Sequence, residues 1–487
     1  MRPVTPVTPA TPGVAPATIV EAPGHSPLRD LEGRGSIGYS SATTNNLRVL
    51  SVFEGFFTGG ARILHSDVLI GLREGGQPHE VLSIYGEMYR EGTLQKMEND
   101  ACYQSLTRAS IPVTPLRHSA PEIPEGYTGG SAPEELAAAA RLTANADVIL
   151  SLKEQPLGLL NQPGLPFRPI VVCLHRSDPE NQGSALQDLK DAVANGRLAA
   201  AICCAEATKA AYHAAGIPSD LLHVIPNGVN LERFRSDPVR RAGIRESLSI
   251  PADAKVVVFA ARYAPMKNVP LFLQAAESFL RREPRGHIVM CGAGMDLSNP
   301  GLRQDIEAAF KGETWPVDRM SSLGVRRDME HLYAAGDVVA LTSSSGEAAP
   351  LCLIEGMMCG AVPVATDIGD SRLIVNGLGI ITPPDPEAIA SAWIEAANRR
   401  DELAQALADS RERFSRTRMI AAYAELLDRV HREAGRSSLP EPEPDSLVDA
   451  AVHFDRAGVL ELVPSSSLYE EGAGRARSLG RTHPYRD

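Results

Sequence analysis

The sequence predicts an α/β protein made of two doubly wound, parallel-sheet domains, Rossmann-like, that face one another across a cleft. Three observations carry this. Apolar runs of strand length alternate with helical patterns in two separate series, the order that βαβ units produce. Several runs, Leu47–Phe53 and Val256–Ala261 among them, are almost continuously apolar, as strands covered on both faces by helices are. The 487 residues exceed what one ordinary domain needs.

The first series opens with the strand Leu47–Phe53, the loop Glu54–Gly60, and a helix whose Ala61, Ile63, Leu64, Val68 and Leu72 recur at helical spacing until Gly75–Gly76 stops it. A second strand, Glu80–Ile84, completes a βαβ unit. A helix over Pro133–Asn145 and the strands Val148–Leu152 and Pro169–Leu174 follow. Then come a helix at Ala185–Asn195, a strand at Ala199–Cys204, a helix at Glu206–Ala215 and a strand at Leu222–Ile225. Pro226–Asn227–Gly228 breaks the pattern as a turn. The second series holds the strand Val256–Ala261, the helix Val269–Arg281, the strand His287–Cys291 with Gly292–Ala293–Gly294 after it, and the strand Val338–Thr342. It continues with the helix Pro350–Cys359, the strand Val362–Ala365 and helical patterns over Pro386–Arg399 and Glu402–Glu433. The ends differ in kind. Residues 1–40 are rich in Pro and Thr, and residues 436–487 in Pro, Glu and Ser. Both read as disordered tails, with Ala450–Val463 as one short element.

Composition excludes some functions. Against 48 Lys and Arg stand 60 Asp and Glu, a net charge of −12, which argues against a nucleic-acid partner. No apolar run reaches the roughly 18 residues of a membrane span, and the N-terminus lacks the pattern of a signal peptide. The seven cysteines form no C-x-x-C pair, so they read as buried, reduced thiols in a cytoplasmic protein. Attachment to the inner membrane face stays open, as does the oligomeric state.

The chemistry concentrates between Ser343 and Thr366. Glu347 lies in a loop after a buried strand, Pro350 suits the start of the next helix, Glu355 lies more than one turn inside it, and Gly360 suits its end. The helix start offers amides and a positive dipole end to phosphates or sugar hydroxyls. The two carboxylates project at different depths into one crevice beyond the carboxyl end of a strand.

The frame Glu347-x-x-Pro350 … Glu355-Gly-Met-x-x-Gly360-x-x-Pro363-Val resembles the retaining, GT-B-fold glycosyltransferases of family 4. The resemblance implies a fold of two Rossmann-like domains. It also implies that Glu347 contacts the transferred sugar, that Glu355 binds the nucleotide ribose, and that amides near Ala348, Ala349, Pro350, Leu351 and Cys352 hold sugar and phosphate. Upstream, Phe259-Ala-Ala-Arg262-Tyr-Ala-Pro-Met-Lys267 is similar to the family segment whose arginine and lysine grip the donor diphosphate. Two fixed cations would stabilise the charge that develops there as the glycosidic bond breaks. By the same resemblance Gly292 belongs to the base-side loop, Val325 lies near the base, Asn227–Gly228 form the hinge, His175 touches the transferred sugar, and Gly59 and Gly60 approach the donor phosphates or acceptor. The bulky Phe56 and Phe57 are a departure in that loop.

The expectation is therefore a retaining glycosyltransferase. It takes a UDP- or GDP-sugar as co-substrate and needs no other cofactor and no metal, since no Asp-x-Asp occurs. Its acceptor is a glycan, a lipid or a small metabolite. The expected layout is a tail over 1–40, an acceptor-side domain over 41–228, a donor domain over 229–400, a helix over 401–435 that crosses back to the first domain, and a tail over 436–487. The rivals are a nucleotide-sugar epimerase or isomerase on the same fold and a non-catalytic nucleotide-sugar-binding protein.

Overall fold

A computed structural model describes residues 47–436 apart from 58, 91–92, 120–130, 312–315 and 317, together with 453–454 and 460–461. Both expected tails lie outside the described residues, except for Arg436, which ends the last helix, and those last two pairs, which form an antiparallel bridge. The chain divides into a unit over residues 1–431 and a unit over 432–487, and the first of these holds both large sheets.

The first sheet holds β1 (Val49–Phe53), β2 (His79–Arg90), β3 (Thr93–Lys96), β4 (Val113–Ser119), β5 (Val148–Leu152), β6 (Ile170–Leu174), β7 (Leu198–Cys203) and β8 (Leu222–Val224). Its order is β3-β2-β1-β5-β6-β7-β8, with β4 also pairing with β2. Every pairing is parallel except that of β2 with β3. In β1 all five residues are buried, because successive side chains enter opposite cores. Val49 and Phe53 join the layer formed by α1 (Gly60–Glu74) and α2 (Ala101–Arg108). Leu50 and Val52 join the layer that includes α3 (Pro133–Asn145), α4 (Leu157–Leu160), α5 (Ala185–Ala194) and α6 (Glu206–Ala214).

After α7 (Pro238–Ser247), the second sheet holds β9 (Lys255–Ala260), β10 (Gly286–Cys291), β11 (Met320–Ser322), β12 (Val338–Leu341), β13 (Val362–Thr366) and β14 (Ile380–Thr382). Its order is β11-β10-β9-β12-β13-β14, parallel throughout. Helices α8 (Val269–Arg282), α9 (Pro300–Ala309), α10 (Met329–Ala335), α11 (Leu351–Met358), α12 (Ser371–Val375) and α13 (Pro386–Asp409) connect and cover these strands. The two doubly wound α/β domains are thus as the sequence predicts.

In each sheet the winding reverses once, at β1/β5 and at β9/β12. In open α/β sheets ligands bind outside the carboxyl ends of the strands at such reversals. Those two points set where chemistry belongs in this molecule.

One helix boundary differs from the sequence reading. The pattern that breaks near Arg400 is a single helix, α13, to Asp409, and a 3₁₀ turn over Arg411–Phe414 leads into α14 (Arg416–Arg436). The charges at the apparent break have an internal use, since the Arg400 guanidinium lies 3.7 Å from the buried Asp337 carboxylate. Helix α14 places Met419, Ile420, Tyr423, Leu426, Leu427 and Val430 in the core of the first sheet. Opposite its start, the Val229 amide donates to Phe414 O at 2.8 Å and the Arg416 amide to Val229 O at 3.0 Å. The two chain crossings therefore pair side by side. Among the described residues no helix is long and apolar enough to cross a membrane, and all seven cysteines are free thiols.

Candidate active site

At the reversal of the second sheet, two loops lock together. After β9 the chain passes Arg262 and makes a 3₁₀ turn over Pro265–Lys267, ending at Asn268 in the left-handed region (φ 49°). After β12 it passes Thr342 and Ser343. The Thr342 hydroxyl donates to the Lys267 carbonyl at 3.1 Å and the Ser344 amide to the Met266 carbonyl at 2.9 Å. This fixes Lys267 against Glu347. The Lys267 ammonium and the Glu347 carboxylate form a direct, partly buried ion pair, and the Ser343 hydroxyl donates to the same carboxylate oxygen at 2.7 Å. Ser343 is itself held, since its carbonyl accepts from Thr366 Oγ1 at 2.7 Å.

Helix α11 starts at once beyond this pair, with Pro350 as its N-cap residue. Glu355 lies on its second turn. Burial raises the Glu355 carboxyl to about 7, opposed by a hydrogen bond from Tyr333 and by the charge of Arg233. The Cys352 thiol lies within the fields of Lys267, Glu347 and Glu355, and burial pushes it up to about 12. Arg262 stands further out, exposed, with its guanidinium 4.0 Å from Met266 Sδ.

Two glycines set the walls. Gly292 (φ 136°) ends β10 where a Cβ would lie 2.0 Å from the Ala261 carbonyl oxygen, so its smallness serves the approach of β9 and β10. Gly369 (φ 58°) lets the chain after β13 pass beneath the Glu347 loop, where a Cβ would lie 2.5 Å from the carbonyl oxygens of Glu347 and Ala348. Val325, between β11 and α10, is 65% exposed.

The first domain reaches this loop from above. His175, Arg176, Ser177 and Asp178 follow β6. The Ser177 hydroxyl donates to the Glu347 carbonyl at 2.5 Å, and Asn227, in the expected hinge, donates from Nδ2 to the Ala349 carbonyl at 3.1 Å. The Ala349 amide meets the Cys204 sulfur, and Cys204 and Ala205 pack on Ala348. Asp370 crosses the other way, accepting from the amides of Glu206 and Ala207 at 2.8 Å each. It thereby caps α6, which has no side-chain cap of its own. Gly60 opens α1 beside Leu351, since a Cβ there would lie 3.6 Å from the Leu351 side chain, and Gly59 is the α1 N-cap residue. The helix starts of α1 and α11 thus converge.

His175 stays neutral at pH 7. Burial lowers it to about 3, and the charges of Lys153 and Arg62 add to this. Its Nε2 is buried and has no hydrogen-bond partner among the described residues.

The structure thus brings Lys267, Glu347, Glu355, Cys352 and the 348–351 segment together, with His175, Gly59 and Gly60 on the facing domain. Arg262 and Val325 are at exposed positions, and Gly292 is used in packing. Sequence reasoning missed Ser177, Asp370, Arg62, Lys153 and Glu154. The signal for Ser177, Lys153 and Glu154 was their place just past a parallel strand. Asp370 and Arg62 carried none. Among the described residues no three of His, Cys, Asp and Glu converge as metal ligands.

Similar proteins point the same way. Over 226 residues the chain is 34% identical to the D-inositol 3-phosphate glycosyltransferase of Saccharomonospora viridis, a match covering 44% of this chain and 51% of that one. It is 28% identical over 235 residues to the protein of the same name from Thermobispora bispora, covering 45% and 54%. The chain thus spans about half the length of these relatives. Among solved structures, Anabaena HepE in complex with UDP and glucose superposes with a TM-score of 0.63 at 24% identity, over 78% of this chain and 99% of that one. A glycosyltransferase from Rickettsia africae superposes with a TM-score of 0.60 at 16% identity, over 79% and 99%. These two share the fold. The family model described as Glycosyltransferase Family 4 matches residues 99–233, and that described as Glycosyl transferases group 1 matches 254–399. Together they take in more than half of the sequence, one on each sheet, and the chain belongs to the group 1, family 4 glycosyltransferases.

Proposed function

We propose that the chain transfers a sugar from a nucleoside-diphosphate sugar, in the first instance a UDP-sugar, to an acceptor hydroxyl with retention of anomeric configuration. The observation that carries this reading is the meeting of Lys267 and Glu347 at the start of α11, with Glu355 one turn deeper. That arrangement offers a cation and helix amides to a diphosphate, a carboxylate to sugar hydroxyls, and a second carboxylate to a ribose. The structural neighbour complexed with UDP and glucose supports the donor class.

In this reading the C1–O bond to the diphosphate breaks while the acceptor oxygen bonds to C1 on the same face. The acceptor proton leaves on the diphosphate. Lys267 and Arg262 stabilise the departing charge, and Glu347 and His175 hold the sugar through an oxocarbenium-like transition state. No cofactor beyond the nucleotide sugar is assigned. Contacts from Ser177, Asn227 and Asp370 close the two domains on the donor and exclude water. The relatives' name makes D-inositol 3-phosphate the first acceptor to try.

The test is calorimetry with UDP, GDP and their sugars, followed by mass spectrometry of products and NMR of the new anomeric centre. Binding of UDP-sugars with a retained linkage is expected. Absence of any nucleotide binding, or an inverted product, would overturn the proposal.

A further inference from the structure

The direction of Arg262 is set by the residues on either side of it. The Ala261 amide donates to the Cys291 carbonyl at 3.0 Å and the Tyr263 amide to the Ala293 carbonyl at 2.7 Å. The pairing of β9 with β10 thus runs on beyond β9 as far as Tyr263. Along an extended segment successive side chains turn to opposite faces. Tyr263 turns to α9, and Arg262 lies toward Met266, with its guanidinium 4.0 Å from Met266 Sδ. A Cβ on Gly346 would lie 2.9 Å from the Met266 methyl carbon, so Met266 in turn lies against the loop that bears Glu347.

Tyr263 sits in a slot shaped to its ring. Its hydroxyl donates to Asp305 Oδ2 at 2.8 Å. Asp305 and Gly301 lie four residues apart on α9 and so share one of its faces. A Cβ on Gly301 would lie 2.9 Å from the Tyr263 hydroxyl oxygen and 3.2 and 3.3 Å from two ring carbons, so the bare backbone there leaves room for the ring. A Cβ on Gly294 would lie 3.0 Å from the Tyr263 Cβ and forms the other wall. Asn299 joins the two walls. Its Nδ2 donates to the Gly294 carbonyl at 2.8 Å, and its Oδ1 accepts from the Gly301 amide at 3.0 Å.

This anchor is itself fixed. The Gly292 amide donates to the Gly324 carbonyl at 2.8 Å and the Gly324 amide to the Met295 carbonyl at 2.9 Å, so the loops after β10 and β11 form one hydrogen-bonded bed. Packing alone does not call for the Tyr263 hydroxyl. The residue is half-buried, a phenylalanine ring would fill the slot, and water would serve Asp305. What the hydroxyl adds is a fixed angle for the arginine next to it. A guanidinium meets phosphate through a planar fork, and both of its hydrogen bonds form only from one approach.

We propose that Tyr263, anchored on Asp305, is a positioning residue for the donor: it sets the angle at which Arg262 meets the diphosphate. This rests on the transferase reading and adds a residue to its donor site.

The experiment measures UDP and UMP binding to the full chain by calorimetry. The ratio of the two affinities reports what the second phosphate gains, and in the wild type UDP should bind more tightly. Arg262→Ala should lower the ratio about ten-fold, the order of one charge-assisted contact. Tyr263→Phe should lower it about five-fold, and Asp305→Ala, which removes the same hydrogen bond from its other end, by as much. Asp305→Asn keeps an acceptor oxygen and should recover most of that loss. UMP affinity should move less than about two-fold in all four variants. Tyr263→Phe added to Arg262→Ala should cost nothing more, because it acts through an arginine that is already gone. A ratio unchanged in Tyr263→Phe or in Asp305→Ala would overturn the proposal, as would losses from Tyr263→Phe and Arg262→Ala that multiply in the double variant. A ratio unchanged in Arg262→Ala would overturn it too, while UDP binding still supported the transferase reading. If neither nucleotide binds the wild type, the transferase reading fails, and this proposal with it.

Discussion

The two faces of the cleft treat their polar groups differently. On the second sheet, the side chains at the reversal satisfy one another. Lys267 pairs with Glu347, Ser343 supports Glu347, and Thr366 supports Ser343. On the first sheet, His175 Nε2, Glu154 Oε1 and His65 Nδ1 are buried without partners among the described residues. A buried, unmade hydrogen bond costs about 1–3 kcal/mol, so the arrangement on the first sheet is the costlier one. In the proposed function the second-sheet pairs are internal stand-ins that a bound donor displaces, and the unpartnered atoms on the first sheet are ones whose hydrogen bonds a bound ligand supplies.

The largest effect that could break this comparison is at Glu347. Glu347→Gln removes the carboxylate that the proposed function sets against the transferred sugar and also releases Lys267 from its ion pair. Turnover should fall by about 10²–10³, the usual loss for one transition-state contact, while UDP binds at least as tightly as before. Weaker UDP binding in this variant would show that Glu347 is no stand-in for the diphosphate. Lys267→Ala comes next. It removes a charge-assisted contact of roughly 1.5–3 kcal/mol, so UDP affinity should fall about 10- to 150-fold by calorimetry. Unchanged affinity would remove Lys267 from the donor site.

Asp370 tests the contacts that join the two faces. It caps α6 in the first domain from the second, and its own amide donates to the Ala348 carbonyl at 2.7 Å. Asp370→Ala should cost about 1 kcal/mol, the ordinary worth of an N-cap, seen as a lower thermal midpoint. As a positioning residue it should also lower transfer about ten-fold, with UDP affinity within two-fold of wild type; the order of that loss follows from misplaced reactants. Asp370→Asn should recover most of the transfer rate. A stability loss with kcat and KM both unchanged would leave Asp370 a cap and nothing more.

How much of this the sequence discloses depends on where each group sits along the chain. The Lys267–Glu347 side is built from two short segments, 259–268 and 343–360, each a strand, a loop and a helix start, and it is the family resemblance of both segments that aligns Lys267, Glu347 and Glu355. The facing side on the first sheet draws Arg62 from α1, Lys153 from the end of β5 and His175 from the end of β6. No local pattern links residues so far apart, and only the sheet order brings them together. Strand β2 was hidden in another way. It reads as ending at Ile84 but runs to Arg90. Gly86 and Glu87 look like a stop, yet Gly86 allows close passage of the His118 carbonyl, and Glu87 is paired with Lys96 at 3.0 Å. The unbroken helix α13 across Arg400 has the same lesson: a charge with a buried partner breaks the pattern without breaking the element.

The smallest expected effect on UDP binding concerns Glu355, whose titration runs opposite to that of the buried histidines on the first sheet. The folded protein raises this carboxyl from its ordinary 4.5 to about 7, with burial as the main cause. The folded state therefore holds the proton more tightly than the unfolded chain. Its contribution to stability is full below pH 4.5 and is lost as pH rises through 7. Buried His175 and His79, each lowered to about 3, act oppositely, so their contribution is lost as pH falls from 6.5. A melting curve of the wild type alone mixes these terms. The difference between Glu355→Gln and wild type isolates the carboxyl. The variant should gain stability relative to wild type from pH 4.5 to 7 and hold that gain above it. UDP reads the same titration from the ligand's side. Ribose hydroxyls donate to an ionised carboxylate, so UDP affinity should rise a few-fold from pH 6 to 8 in the wild type and stay flat in Glu355→Gln. A rise of equal size in both would assign the pH dependence to the nucleotide's own phosphate, and Glu355 would then be a buried acid that the donor does not touch.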